Sequence, residues 1–156
     1  MSTANIINKE ALLEHWLGHR NLTRRVIVAF PEKELFELSI GGMRPFSELV
    51  MELLSLAVPG LVGIVNNTTE AYNHDLGLKT KAELLAQWDA DTPKIIELFN
   101  QIPEERFQEN FKLFGQYDFP VIHNIMYCID NEIHHRGQGY VYLRTLGIEP
   151  PFFWER

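Results

Sequence analysis

Cysteine is almost missing from this chain: Cys128 is the only one in 156 residues. One thiol excludes an intramolecular disulfide, a cysteine-based zinc site and a Cys-x-x-Cys redox pair, and it fits a reducing compartment. The N-terminal Met1-Ser2-Thr3-Ala4-Asn5 lacks a basic region followed by an apolar core. The longest apolar stretches meet Glu52, or Pro59 and Gly60, before they reach a membrane-spanning length. A cytoplasmic protein with no membrane partner is therefore expected. Positive charge is also short, with 14 Lys and Arg against 21 Asp and Glu, a net charge of −7. A phosphate backbone is repelled by such a chain, so no nucleic-acid partner is expected. Neither a Gly-x-Ser-x-Gly elbow nor a Gly-x-x-x-x-Gly-Lys phosphate cradle occurs, which removes the common hydrolase and nucleotide readings and leaves no organic cofactor expected.

What is present is apolar surface, 46% of residues, enough for residues 1–156 to form one domain with its own core. Leu12, Leu13, Trp16, Leu17, Val26, Ile27 and Phe30 recur at helical spacing and predict a first helix over about 7–29, ended by Pro31. Residues 32–44, with Gly41 and Gly42, read as a connection. Helix two begins near Pro45 and runs to about Val65, with a kink expected at Pro59 and Gly60. Thr80-Lys81-Ala82-Glu83 is a capping box that starts helix three, which continues through Pro93 to about Asn100. Residues 103–118 read as a connection with local structure. Asp118 is the expected cap, and Pro120 the first turn, of a longest helix reaching Leu146 and Gly147. Four long amphipathic segments and no extended strand pattern predict an all-α four-helix bundle. Its long connections leave room for a topology other than simple up-and-down.

The densest run of chemical side chains is Asn131-Glu132-Ile133-His134-His135-Arg136-Gly137-Gln138. Asn131 and His135, four apart, share a helix face, while His134 points about 100° away from His135. One histidine cannot hold a metal alone, so a facing helix must contribute. Glu52 is the best partner, because it interrupts the apolar run from Leu49 to Val58. Two readings stay open at this point. Glu48, Glu52 and Ser55 are also spaced like a solvated stripe, as are Asn131, His135, Gln138 and Tyr142.

The segment from Asn131 to Arg144, followed by Leu146-Gly147-Ile148-Glu149-Pro150-Pro151, resembles the C-terminal signature of the DinB-like family of bacterial metal-binding four-helix bundles. Met43-Arg44-Pro45-Phe46-Ser47-Glu48-Leu49 is similar to that family's entry into helix two. The resemblance implies a bundle of the DinB type, a homodimer, and a metal held by one histidine on helix two and two on the last helix. This chain departs from that set. The helix-two ligand falls on Glu52, and the last-helix pair falls on Asn131 and His135, while His134 matches a motif histidine not usually counted as a ligand.

Carboxylate, amide and imidazole make a harder set than three imidazoles, better suited to manganese than to zinc or nickel. A divalent ion (Ni, Zn or Mn) at Glu52, Asn131 and His135 is one expectation; a vestigial site in a binding or structural protein is the other. If chemistry survives, the resemblance implies metal-dependent transfer or hydrolysis of small thiol adducts, with a low-molecular-weight thiol or other small molecule as ligand. The remaining histidines carry less. His15 and His19 read as a solvated pair, and His74 and His123 join no constellation. Cys128, between Ile125 and Ile129, reads as packing rather than as a nucleophile.

Overall fold

A computed structural model describes residues 6–156. Four long helices dominate: α1 (Lys9–Ala29), α3 (Phe46–Asn66), α4 (Lys81–Gln101) and α5 (Val121–Thr145), with a six-residue α2 (Glu32–Glu37) between the first two. A 3-10 turn at Glu104–Gln108 leads into a hairpin of β1 (Asn110–Leu113) and β2 (Tyr117–Pro120). The all-α bundle expected from periodicity is the observed fold. α3 packs against α4 and α5, and α1 packs against the same two helices. The consecutive long helices α1 and α3 therefore lie across the bundle's diagonal, as the long connections allow.

Local chemistry explains most boundaries. The Asn8 side chain accepts the Ala11 N–H at 2.8 Å, and Thr80 and Glu83 form the reciprocal capping box. Gly147, at φ 73°, stops α5 in a left-handed conformation that costs glycine little. α3 runs unbroken through Pro59 and ends at Asn67, itself left-handed at φ 55°. This is the one helix long and apolar enough to cross a membrane among the described residues, and it is buried at the centre of the bundle.

Three local expectations are corrected. The connection before Pro45 contains α2, which is held by packing of Leu35, fully buried, rather than by any long amphipathic period. The segment 103–118 contains a hairpin, with Phe111 opposite Phe119 and Lys112 opposite Asp118. Its strands are four residues each, too short for alternation to show, and they turn at Phe114 and Gly115, both at positive φ. Asp118 therefore pairs within the hairpin, and Pro120 is the N-cap of α5 with no side-chain cap.

The core is divided. One apolar cluster contains Trp16, Phe99, Ile125 and Leu113, and another contains Val26, Phe46, Trp88 and Tyr142. Each fully buried side chain of this size stabilises the fold by roughly 1.5–3 kcal/mol relative to exposure. Between the two lies a polar layer at mid-bundle, formed by His19, Arg20 and Thr23 of α1, Glu52 and Ser55 of α3, Asp91 of α4, and Glu132, His135 and Arg136 of α5, all buried. α5 can approach the start of α3 because residue 139 is glycine: a Cβ there would lie 2.6 Å from the Phe46 ring.

Candidate functional site

Glu52 faces inward and is 7% exposed. The helical rise brings Asn131 and His135 over it from α5, and both converge on one oxygen. Asn131 Nδ2 donates to Glu52 Oε1 at 3.1 Å, and His135 Nε2 lies 3.1 Å from the same atom. The other ring nitrogen, Nδ1, is 2.6 Å from Gln138 Oε1. The solvated-stripe readings of helices two and four thus fail at these positions, and the three residues come together.

Two residues from the connections flanking α3 complete the arrangement. Arg44 Nη2 donates to Glu52 Oε2 at 2.6 Å, and His74 Nδ1 stands 3.6 Å from that oxygen. Arg44 is anchored through its backbone, since its carbonyl accepts the Tyr142 hydroxyl at 2.8 Å. The Arg44 and His74 side chains are 41% and 38% exposed, so they cover a carboxylate whose own side chain is 9% exposed. Tyr72 stands edge-on to His74, with ring centroids 4.2 Å apart.

Burial opposes ionisation of Glu52, but hydrogen bonds from His135, Arg44 and Asn131 outweigh it and hold the carboxyl down at about 2. The negative charge is felt nearby: burial first, and then Glu52, push the Tyr72 hydroxyl upward. Burial is likewise the main cause of the raised Tyr127 hydroxyl, with Tyr117 and then Glu52 adding to it.

This donor arrangement does not fit a resident divalent ion. A metal requires lone pairs aimed at a common point. Here the Asn131 amide turns N–H groups toward Glu52, and a guanidinium already neutralises the carboxylate. Among the described residues, no three His, Cys, Asp or Glu side chains stand close enough to share one ion.

The sequence profile of the DinB family matches residues 1–155. The chain belongs to the DinB family. The uncharacterized protein YjoA of Bacillus subtilis (strain 168) is 25% identical over 149 residues, covering 93% of this chain and 96% of YjoA. A DinB-like protein from Bacillus cereus ATCC 10987 superimposes with a TM-score of 0.76 at 16% identity, covering 93% of this chain and 97% of the other. The crystal structure of the DinB-like YjoA from Bacillus subtilis gives 0.71 at 22% identity, covering 93% and 99%. These two likenesses establish the DinB-type fold.

Sequence reasoning missed Arg44 and His74 as members of the site. Arg44 stood in the Met43–Leu49 motif, but it precedes α3, so helical spacing did not relate it to Glu52. His74 carried no signal either, because only the path of the 67–80 connection brings it back. His19 is corrected too: it is buried, with its Nδ1 2.9 Å from Arg136 Nη2, while His15 stays exposed. His134 is exposed, as expected of its position one residue before His135. Cys128 lies in the apolar core, where burial pushes its thiol up to about 12, the behaviour of a packing residue.

Proposed function

We propose that this DinB-family protein is a binding or structural member in which the Glu52, Asn131 and His135 cluster has lost metal chemistry and serves as a polar tie between α3 and α5. The observation that carries this reading is the 2.6 Å contact of the Arg44 guanidinium with Glu52, together with full use of the second carboxylate oxygen by Asn131 and His135. A buried carboxylate satisfied in this way fixes helix register and orientation. A cytoplasmic homodimer accompanies this reading. Ile7, just before α1, and Met126 and Ile133 on the outer face of α5 are all more than a third exposed, surface that a second copy would cover.

The test is metal analysis of protein purified without chelator or affinity-column metal, paired with a turnover screen on small thiol adducts, esters and amides. Less than stoichiometric metal and no chelator-sensitive turnover are expected. A second reading, a metal-dependent thiol-transferase or hydrolase, is favoured by the convergence of the three residues themselves. It prevails if the protein carries near-stoichiometric divalent ion that His135→Ala removes, and if chelation abolishes a measurable rate. Light scattering at micromolar concentration checks the dimer.

A further inference from the structure

We infer that residues 150–156 form a strap that closes over the α1–α5 polar cluster while His19 is neutral and detaches when that ring gains a proton. The strap is independent of the Glu52 site, and three contacts anchor it. Pro150 is buried at its root, and Arg25 Nη1 donates to the Glu155 carbonyl at 3.0 Å. Beyond that point Arg156 Nη1 stands 2.9 Å from His19 Nε2. Arg156 comes this close to α1 because residue 18 is glycine: a Cβ there would lie 3.2 Å from Arg156 Cβ.

His19 is suited to be the switch because guanidinium groups face both of its ring nitrogens. Nδ1 lies 2.9 Å from Arg136 Nη2, and a neutral imidazole has a single lone pair for the two arginines. The other charged groups around it do not favour an imidazolium. His15, on the same helix, stands edge-on with ring centroids 4.5 Å apart. Glu132 of α5 accepts from Thr23, and on α4 Asp89 is met by Arg24 and Asp91 by Gln87 and Lys94. Among the described residues, no carboxylate bonds to the His19 ring. Burial first, and then Arg136, His15 and Arg156, lower the ring from 6.5 to about 4. The closed strap is therefore favoured above about pH 6.5 and is lost as the pH falls toward 4. A proton on His19 turns both ring nitrogens into donors that face cations. Arg136 stays, because it is 4% exposed and also donates to the His19 carbonyl and to Thr23. Arg156 is exposed and is the partner that leaves. The remaining side-chain anchor, Arg25 with Glu155 at 3.4 Å, is an exposed pair that water and salt weaken. Release uncovers His19 and Arg136 and carries the exposed Phe152, Phe153 and Trp154 away from α1.

The experiment is NMR on the full chain, following the His19 ring and the backbone order parameters of residues 152–156 from pH 7.5 to pH 4, with circular dichroism verifying that the helices persist. The order parameters should fall from about 0.85, a rigid backbone, to below about 0.6, a flexible one. The midpoint should lie between about 4 and 6.5 and coincide with titration of the His19 ring. His19→Gln, which cannot take up the proton, should show no such step, while Glu155→Gln should retain it. Arg156→Met should loosen residues 152–156 at pH 7.5 and move the His19 midpoint up toward 6.5, a readout that does not depend on His19→Gln folding. The inference is overturned if the step persists in folded His19→Gln or disappears in Glu155→Gln. It is equally overturned if Arg156→Met leaves the His19 midpoint at its wild-type position, or if residues 152–156 lose order only together with the helices.

Discussion

Helix α5 carries two polar clusters back to back, and their contrast separates a sealed structural device from an accessible site. On the α3 side, Asn131 and His135 meet Glu52 under a cover of half-exposed Arg44 and His74. On the α1 side, Glu132 and Arg136 meet Thr23 and His19 in full burial. There the Thr23 hydroxyl donates to Glu132 Oε1 at 2.7 Å and accepts from Arg136 Nη1 at 3.1 Å, while Arg136 also donates to the His19 carbonyl at 3.1 Å. Neighbouring Arg20 lies 4.0 Å above the Trp88 ring and donates to the Trp88 carbonyl at 3.1 Å. Consecutive residues of one helix thus serve opposite neighbours because they diverge by about 100° around its axis. The α1 cluster holds the two halves of the core in register. The α3 cluster has its charged cover at the surface, in the half-exposed Arg44 and His74 side chains.

Substitutions should break this contrast unequally. The largest effect is expected in the sealed cluster: Arg136→Ala leaves Glu132 buried without one of its two nearby cations and should cost about 3–5 kcal/mol. Urea denaturation measures it. A loss below that of Glu52→Gln would reverse the assignment of structural weight.

The next effect is pH-dependent and also belongs to the α1 side. Burial, followed by the charges of Arg136, His15 and Arg156, lowers His19 from 6.5 to about 4. Between those values the unfolded chain takes up a proton that the folded chain refuses. Stability is therefore greatest above about pH 6.5 and falls as the pH drops toward 4, by up to about 3 kcal/mol. Denaturation at pH 7.5 and pH 4.5 should show this loss in the wild type and a smaller one in His19→Gln. Equal losses in both would show that the His19 surroundings do not set the pH response.

On the α3 side, Glu52→Gln keeps the shape and removes the charge. With Arg44 able to turn to water, a loss of about 1–2 kcal/mol is expected, the scale of a charge-assisted hydrogen bond in partial burial. A thermal melt that does not move would remove Glu52 from the helix-tying role. At the low end, His134→Ala and His15→Ala alter exposed rings and should change stability by less than about 0.5 kcal/mol. A larger shift from His134→Ala would extend the site beyond the face shared by Asn131 and His135.

The two sides were unequally legible in the sequence. Asn131 and His135 were paired by four-residue spacing, and Glu52 by its interruption of an apolar run. Both features survive without tertiary information because helical geometry converts spacing directly into direction. The α1 cluster was not legible. His19, Arg20 and Thr23 sit among polar neighbours and look solvated, and only the packing of α1 on α5 buries them. The same holds for Leu35 in α2 and for the hairpin, elements too short to show a period.

By itself the sequence determined four helices, the Thr80 capping box, the Gly147 stop and a helix face shared by Asn131 and His135. These follow from local rules, in which a residue's neighbours within a turn or two decide its conformation. Tertiary structure alone decided that α1 and α3 lie diagonally, that a polar layer splits the core, and that Arg44 and His74 close over Glu52. Those outcomes depend on where connections return the chain in space. A contact between residues far apart in sequence is fixed by the packing of whole helices, with no signature at either residue alone.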